Sequence, residues 1–189
     1  VRSYAYDWRL YLREKTVRCL NRHRAPEQRL RFRKKTSLAR DMLAGLQQLL
    51  PAGFQVYVLF DSWYASNGIL KFCRRQGWHV ICAIKSNRKL DDKKLSQWPQ
   101  ALRHQRYQRV QLTATDQRSR TYLVRARRGK LSKVPFEVCV LISQRHHRDH
   151  HPKYFLCTDL SLAAQQILPI YQKRWPIEVD NFYVKQQLG

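Results

Sequence analysis

The spacing of apolar and polar positions divides the chain into short elements. Tyr6, Trp8, Leu10 and Leu12 alternate with Asp7, Arg9, Tyr11 and Arg13, which predicts a half-buried strand over residues 4–12. The basic stretch 18–35 has little periodicity and reads as a connection. Thr36 or Ser37 is placed to cap a helix carrying Leu38, Met42, Leu46 and Leu49, which Pro51-Ala52-Gly53 ends. Residues 55–60 are apolar on both faces, as in a central parallel strand, and Asp61 stands at its carboxyl end. A helix over 66–76, closed by Gly77, and a second two-sided apolar strand over 78–84 follow. Strand, helix, strand in that order predicts a right-handed crossover with a parallel sheet.

From Ser86 to Arg106 the chain turns polar and rich in turn formers. Residues 107–115, 121–127, 136–143 and 154–157 then read as strands joined by polar turns, a β-rich insertion over about 86–153 whose last strand leads back to the main sheet. Ser161 is placed to cap the next helical stretch, which continues toward Lys185. The expectation is one α/β domain over residues 1–189 containing that insertion, a piece of something longer.

Composition narrows the partner class. Lys and Arg number 37 against 13 acids, a net charge of +24, which calls for a polyanion bound with counterion release. Arg22, Arg24, Arg29, Arg31, Arg33, Lys34 and Lys35 form the densest block and read as a phosphate-contacting or solvated surface. Arg125, Arg127, Arg128, Lys130 and Lys133 form a second. At 43% hydrophobic and 12% aromatic the chain has material for a core. Its apolar runs are too short to span a bilayer. Five scattered cysteines without a close pair read as reduced, mostly buried thiols of a cytoplasmic protein.

Candidate chemistry gathers at two places. Asp61 sits where open α/β sheets hold ligands, although an acid there also caps turns. Near the end of the sequence Tyr171, Arg174, Glu178 and Lys185 recur at spacings that put all four on one narrow face of a continuous helix. Pro176 interrupts that helix, and a break near Trp175 with a restart at Pro176 fits the sequence better. Two carboxylates, Asp61 and Glu178, suit divalent metal with phosphate oxygens. Trp63 and Trp175 read as core, with base stacking as the alternative. Four histidines in Arg145-His-His-Arg-Asp-His-His-Pro152 read as a solvated hairpin loop, with a transition-metal trap as the alternative. Asp91-Asp92 reads as a solvated turn.

Tyr171-x2-Arg174-x3-Glu178-x6-Lys185, with Trp175 and Ile177 between, resembles the Y-R-E-K signature of DDE transposases of bacterial insertion sequences. Val58-Leu-Phe-Asp-Ser-Trp-Tyr64 resembles that family's strand bearing the second catalytic Asp. The resemblance implies a ribonuclease H-like mixed sheet flanked by helices, with the β-rich insertion between the second Asp and the Glu. It implies Asp61 and Glu178 as catalytic ligands of Mg²⁺ or Mn²⁺, and Tyr171, Arg174 and Lys185 as contacts to transposon-end DNA. It further implies phosphodiester hydrolysis and strand transfer on DNA in a bacterial, nucleoid-associated cytoplasmic setting, with a homodimer on DNA allowed for. The first of the family's three carboxylates is expected upstream of this chain, because Asp7 matches a non-catalytic position. A truncated remnant that only binds DNA is the alternative.

Overall fold

The computed structural model describes residues 6, 7, 9–51, 53–113, 118–177 and 186. The chain divides into two compact units, Val1–Phe54 and Gln55–Gly189.

In the first unit, residues 6, 7 and 9–13 form no strand. A strand needs a ladder partner, and none is present among the described residues of this unit. Leu10, expected inward, is 83% exposed. The chain here packs side chains against a helix instead: the Tyr6 hydroxyl lies 2.9 Å from where a Cβ on Gly45 would stand, and Lys35 Nζ sits 4.9 Å from the Tyr11 ring centroid. Helix α1 (Glu14–Leu20) overlaps the predicted connection, with Val17 buried and Arg18 paired to Glu14 at 2.6 Å, one helical turn apart. Two short 3₁₀ turns follow, and the Asn21 amide clasps Leu30 by donating to its carbonyl at 2.9 Å and accepting its N–H at 2.8 Å. Helix α2 (Lys35–Gln47) starts with Lys34 as N-cap rather than Thr36 or Ser37. The Lys34 carbonyl accepts the N–H of both Ser37 and Leu38, and Arg33 pairs with Asp41 across the first turns.

The second unit is built on a six-stranded mixed sheet flanked by helices, the ribonuclease H-like α/β class expected from sequence. Its strands are β1 (Tyr57–Phe60), β2 (His79–Ile84), β5 (Gln108–Thr113), β6 (Ser119–Lys130), β7 (Glu137–Gln144) and β8 (Lys153–Cys157), in the order β1-β2-β8-β7-β6-β5. Strand β1 runs parallel to β2 and every other pairing is antiparallel. Among the described residues β1 therefore lies at one end of the sheet, not at its centre, and is only half-buried before Phe60. Helix α3 (Asn67–Arg75) links β1 to β2 as predicted: the Ser66 hydroxyl accepts the Ile69 N–H at 3.3 Å, and Gly77 takes φ +71° just past the helix end.

Alternation along the strands makes two apolar faces. One face carries Ile81, Val124, Leu141 and Phe155 and is covered by Ile167 and Leu168 of α5 (Ala164–Gln172). Ser161 does not cap α5. Its N–H and hydroxyl both go to Asp159, and the helix begins at Ala164 after the Ala163 N–H bonds the Gln166 side chain at 2.9 Å. The other face is walled by α3 and by a polar-looking segment that folds tightly. This segment holds the small hairpin β3 (Lys89–Leu90) and β4 (Lys93–Lys94), then α4 (Trp98–Ala101), and buries Leu90, Leu95 and Trp98. Asp91, expected to be solvated, ties that hairpin to β6: its carboxylate accepts the Lys130 N–H at 2.8 Å and its N–H reaches the Lys130 carbonyl at 2.9 Å.

At the amino end of β1 and β2, a polar group missed in the sequence fastens the terminal strand. Asp159, 4% exposed, accepts the Tyr57 hydroxyl at 2.5 Å, the Ser161 N–H at 2.9 Å and the Ser161 hydroxyl at 2.6 Å. His79 stacks on Tyr57 with centroids 5.3 Å apart, its Nε2 lying 3.9 Å from Asp159. Four cysteines are buried and free, Cys19 is free and exposed, and no helix among the described residues is long and apolar enough to cross a membrane.

Candidate active site

Asp61 follows Phe60 directly, so β1 delivers its carboxylate to the carboxyl end of the parallel pair. Oδ1 accepts the Trp63 N–H at 2.9 Å, and the Asp61 carbonyl accepts the Tyr64 N–H at 3.3 Å. The turn-capping reading of this residue holds: one oxygen closes the turn that launches α3, while Oδ2 has no hydrogen-bond partner among the described residues. Lys85 leaves the neighbouring β2 at the same end, with Nζ 5.5 Å from the Trp63 ring centroid. Trp63 is 71% exposed and Trp175 49%, so neither is core, contrary to the reading of their sequence context.

Tyr171 reaches this end of the sheet from α5. Its ring meets Phe155 edge-on at 4.9 Å, and the next residue, Gln172, donates its side-chain N–H to the carbonyl of Thr113, the last residue of β5. Burial raises the pKa of the Tyr171 phenol. The charge and hydrogen bond of Arg174, 5.5 Å from the ring centroid, pull it down, while the Asp61 carboxylate pushes it up. Burial, and then Asp61, also raises Tyr64. Asp61, Tyr171 and Arg174, remote in sequence, therefore share one electrostatic neighbourhood. The chain leaves α5 through turns at 173–175 held by three-residue bonds, Arg174 N–H to Tyr171 and Trp175 N–H to Gln172, both at 3.0 Å, and is helical again at Pro176 and Ile177. That is the break the proline predicts.

Glu178 and Lys185 lie outside the described residues. Asp7 accepts Arg9 Nε at 3.0 Å in a surface pair of the first unit. A metal centre of the expected kind needs several oxygen ligands around each ion. Asp61 offers one oxygen, and no group of three His, Cys, Asp or Glu side chains among the described residues is arranged to hold an ion. The described residues alone do not fit Mg²⁺ or Mn²⁺.

The basic blocks separate into two uses. Residues of the 22–35 block are largely exposed. On β6, Arg127, Arg128 and Lys130 stay exposed, whereas Arg125, 7% exposed, lies 3.6 Å from the Tyr107 centroid and donates to the carbonyls of Pro99 and Arg103, both at 3.3 Å. Arg128 donates to the Leu160 carbonyl at 2.7 Å, and Arg127 lies over Trp98. Alternation turns Arg125 inward beside Leu123, which charge counting does not reveal.

A mixed sheet flanked by helices, with an acid past the carboxyl end of a parallel strand and a tyrosine–arginine pair near it, defines an α/β domain of the ribonuclease H-like class. A family profile described as "Transposase DDE domain" matches residues 33–189, more than half of the chain, and the chain belongs to that family. No curated protein matches it.

Proposed function

We propose that this chain is a DNA-binding transposase domain whose cationic surface holds a duplex against the rim carrying Asp61, Tyr171 and Arg174. The observation that carries this reading is the grouping of Trp63, bonded through its N–H to Asp61, with Lys85 over its exposed indole, and of Tyr171, within reach of the Asp61 charge, with Arg174 over its ring, in a chain of net charge +24. Cations seat phosphates, and an exposed indole next to them offers a stacking platform to a base. Tyr171, Arg174 and Lys185 serve as DNA contacts, and residues 86–153 act as the insertion of this single domain. Anisotropy of a labelled duplex tests the reading. Binding should weaken steeply with salt, and salt-insensitive or absent binding would remove it.

A second reading is favoured by Asp61 Oδ2, which has no hydrogen-bond partner among the described residues at the strand end. Here Asp61 and Glu178 are the catalytic carboxylates of the Y-R-E-K branch, and with Mg²⁺ or Mn²⁺ and a further acid they support hydrolysis and strand transfer at transposon ends. The bound ions would supply charge for the attacking and leaving oxygens. Nicking of duplex DNA that needs the metal and is lost in both Asp61→Ala and Glu178→Ala is the expected result. Salt-sensitive binding with no nicking under any metal leaves the binding reading alone.

A further inference from the structure

The turn joining β7 to β8, Arg145-His-His-Arg-Asp-His-His-Pro152, is absorbed by neither reading above. Arg145, Arg148 and all four histidines are exposed. The turn is held in one shape by Asp149, whose two carboxylate oxygens accept the N–H of Arg145 and of His151, both at 2.9 Å. The Asp149 N–H reaches the His146 carbonyl at 3.1 Å, and Gln144 donates to the Asp149 carbonyl at 3.0 Å. These two backbone N–H groups hold the Asp149 carboxyl below its usual range, so the clasp persists in mild acid. Tyr107 flanks the turn, edge-on to His147 at 5.0 Å, and Lys153 leads out of it. The acid facing these cations is Asp149 itself; among the described residues they form no ion pair with an acid elsewhere. Nor do the histidines form a metal-holding group.

The sheet register fixes where this turn lies. Ile84 of β2 pairs with Tyr154 of β8, Tyr154 pairs with Ile142 of β7, and Ser143 pairs with Lys153. The turn therefore leaves the sheet at the end from which β1 delivers Asp61 and β2 delivers Lys85. In sheet order β7 is three strands from β1, about 14 Å at ~4.8 Å per strand. A duplex rising ~3.4 Å per base pair covers that span in about four base pairs.

We infer that this turn is a phosphate-contacting finger for duplex DNA, engaging the backbone about four base pairs from Asp61, with a grip set by protonation of its histidines. It rests on the DNA-binding reading. A preformed cationic turn orders no new backbone on binding, and histidine is the side chain that changes charge between about pH 5 and 8. Each protonated histidine that displaces a counterion from the duplex steepens the salt dependence by roughly 0.9 in log–log slope.

The test is duplex binding by the full chain, titrated with salt at about pH 8 and about pH 5.5, in the wild type, in H146Q/H147Q/H150Q/H151Q and in Arg148→Ala. All three proteins should melt alike, since the altered side chains are exposed. The wild-type slope should steepen on acidification, and the four-histidine variant, which removes four of the seven histidines, should lose at least half of that gain. Arg148→Ala should flatten the slope by about 1 at both pH values. A four-histidine variant that keeps the full acid gain, or an Arg148 variant with an unchanged slope, overturns the finger. Absence of salt-dependent binding by the wild type at either pH would overturn the DNA-binding reading as well, so the two failures are distinguishable.

Discussion

Replacing Tyr57 by Phe tests whether Asp159 fastens β1 to the rest of the sheet. The substitution removes one oxygen and keeps the ring that stacks on His79. Asp159 stays 4% exposed and retains both bonds from Ser161, but loses the phenol that donates at 2.5 Å. A hydrogen bond to a charged group is worth about 1.5–3 kcal/mol, so the variant should be less stable by that amount at neutral pH. For a chain of this size that is a fall of about 3 to 12 °C in Tm. The pH dependence carries the decisive sign. The hydrogen bonds from Ser161 and Tyr57 and the nearby His79 outweigh the larger cost of burial and depress the Asp159 pKa. Its stabilising contribution is therefore present above the unfolded value of about 4 and is lost as pH falls through the folded value. Burial first, then the bond to Asp159, raises the Tyr57 pKa, so the native state keeps its proton where the unfolded chain releases it, above about pH 10. The wild-type advantage over Tyr57→Phe should be flat between about pH 4 and 10 and narrow on both sides. Urea midpoints of both proteins across that range measure it. A difference that persists unchanged into strong acid, or no difference at neutral pH, would refute the role given to this pair.

Two further outcomes follow from packing. A methyl on Gly129 would stand 2.4 Å from Asp91 Oδ2, so Gly129→Ala should destabilise by about 1–3 kcal/mol, and by clearly less in an Asp91→Gly background. Thermal melts of the single and double variants decide whether the contact is the cause, and additive losses would show that it is not. Burial pushes the Cys73 and Cys157 thiols up to about 12 and raises Cys82 and Cys139 as well, whereas Cys19 is exposed. A thiol reagent at mildly alkaline pH should label Cys19 at once and the other four only on unfolding. Since the unfolded chain ionises its thiols first, stability should fall as pH rises past about 8.5. Rapid labelling of all five would contradict the packing.

What the sequence disclosed was local. Ser66 and Gly77 bound a helix by chemistry that acts over a few residues, and both boundaries hold. The strands β5 to β8 were legible because apolar, strand-forming runs there are separated by polar turns, a contrast that shows within a few residues. Alternation over residues 4–12 misled for the described residues 6, 7 and 9–12, since a pattern states which side chains would share a face and not whether a ladder partner is at hand. Asp61 was legible from its place after an apolar run. Tyr57 and Asp159 were not, because only the order β1-β2-β8 brings residues so distant in sequence together. Arg125 was counted in the second basic block and is a buried tie, which a count of charges does not disclose. The break before Pro176 was readable from the proline alone, since the steric conflict it creates needs no tertiary information.

The position of β1 has a consequence for assembly. Among the described residues its backbone is hydrogen-bonded into the sheet on the β2 side only, and its sequence is the apolar run Tyr-Val-Leu-Phe. Such a margin is a template for strand addition. Any strand that added there would arrive one interstrand spacing, about 4.8 Å, from the backbone that carries Asp61. The growing edge of the sheet and the carboxylate at its rim are properties of the same four residues and the one that follows them, so whatever extends the sheet also sets the surroundings of that carboxylate.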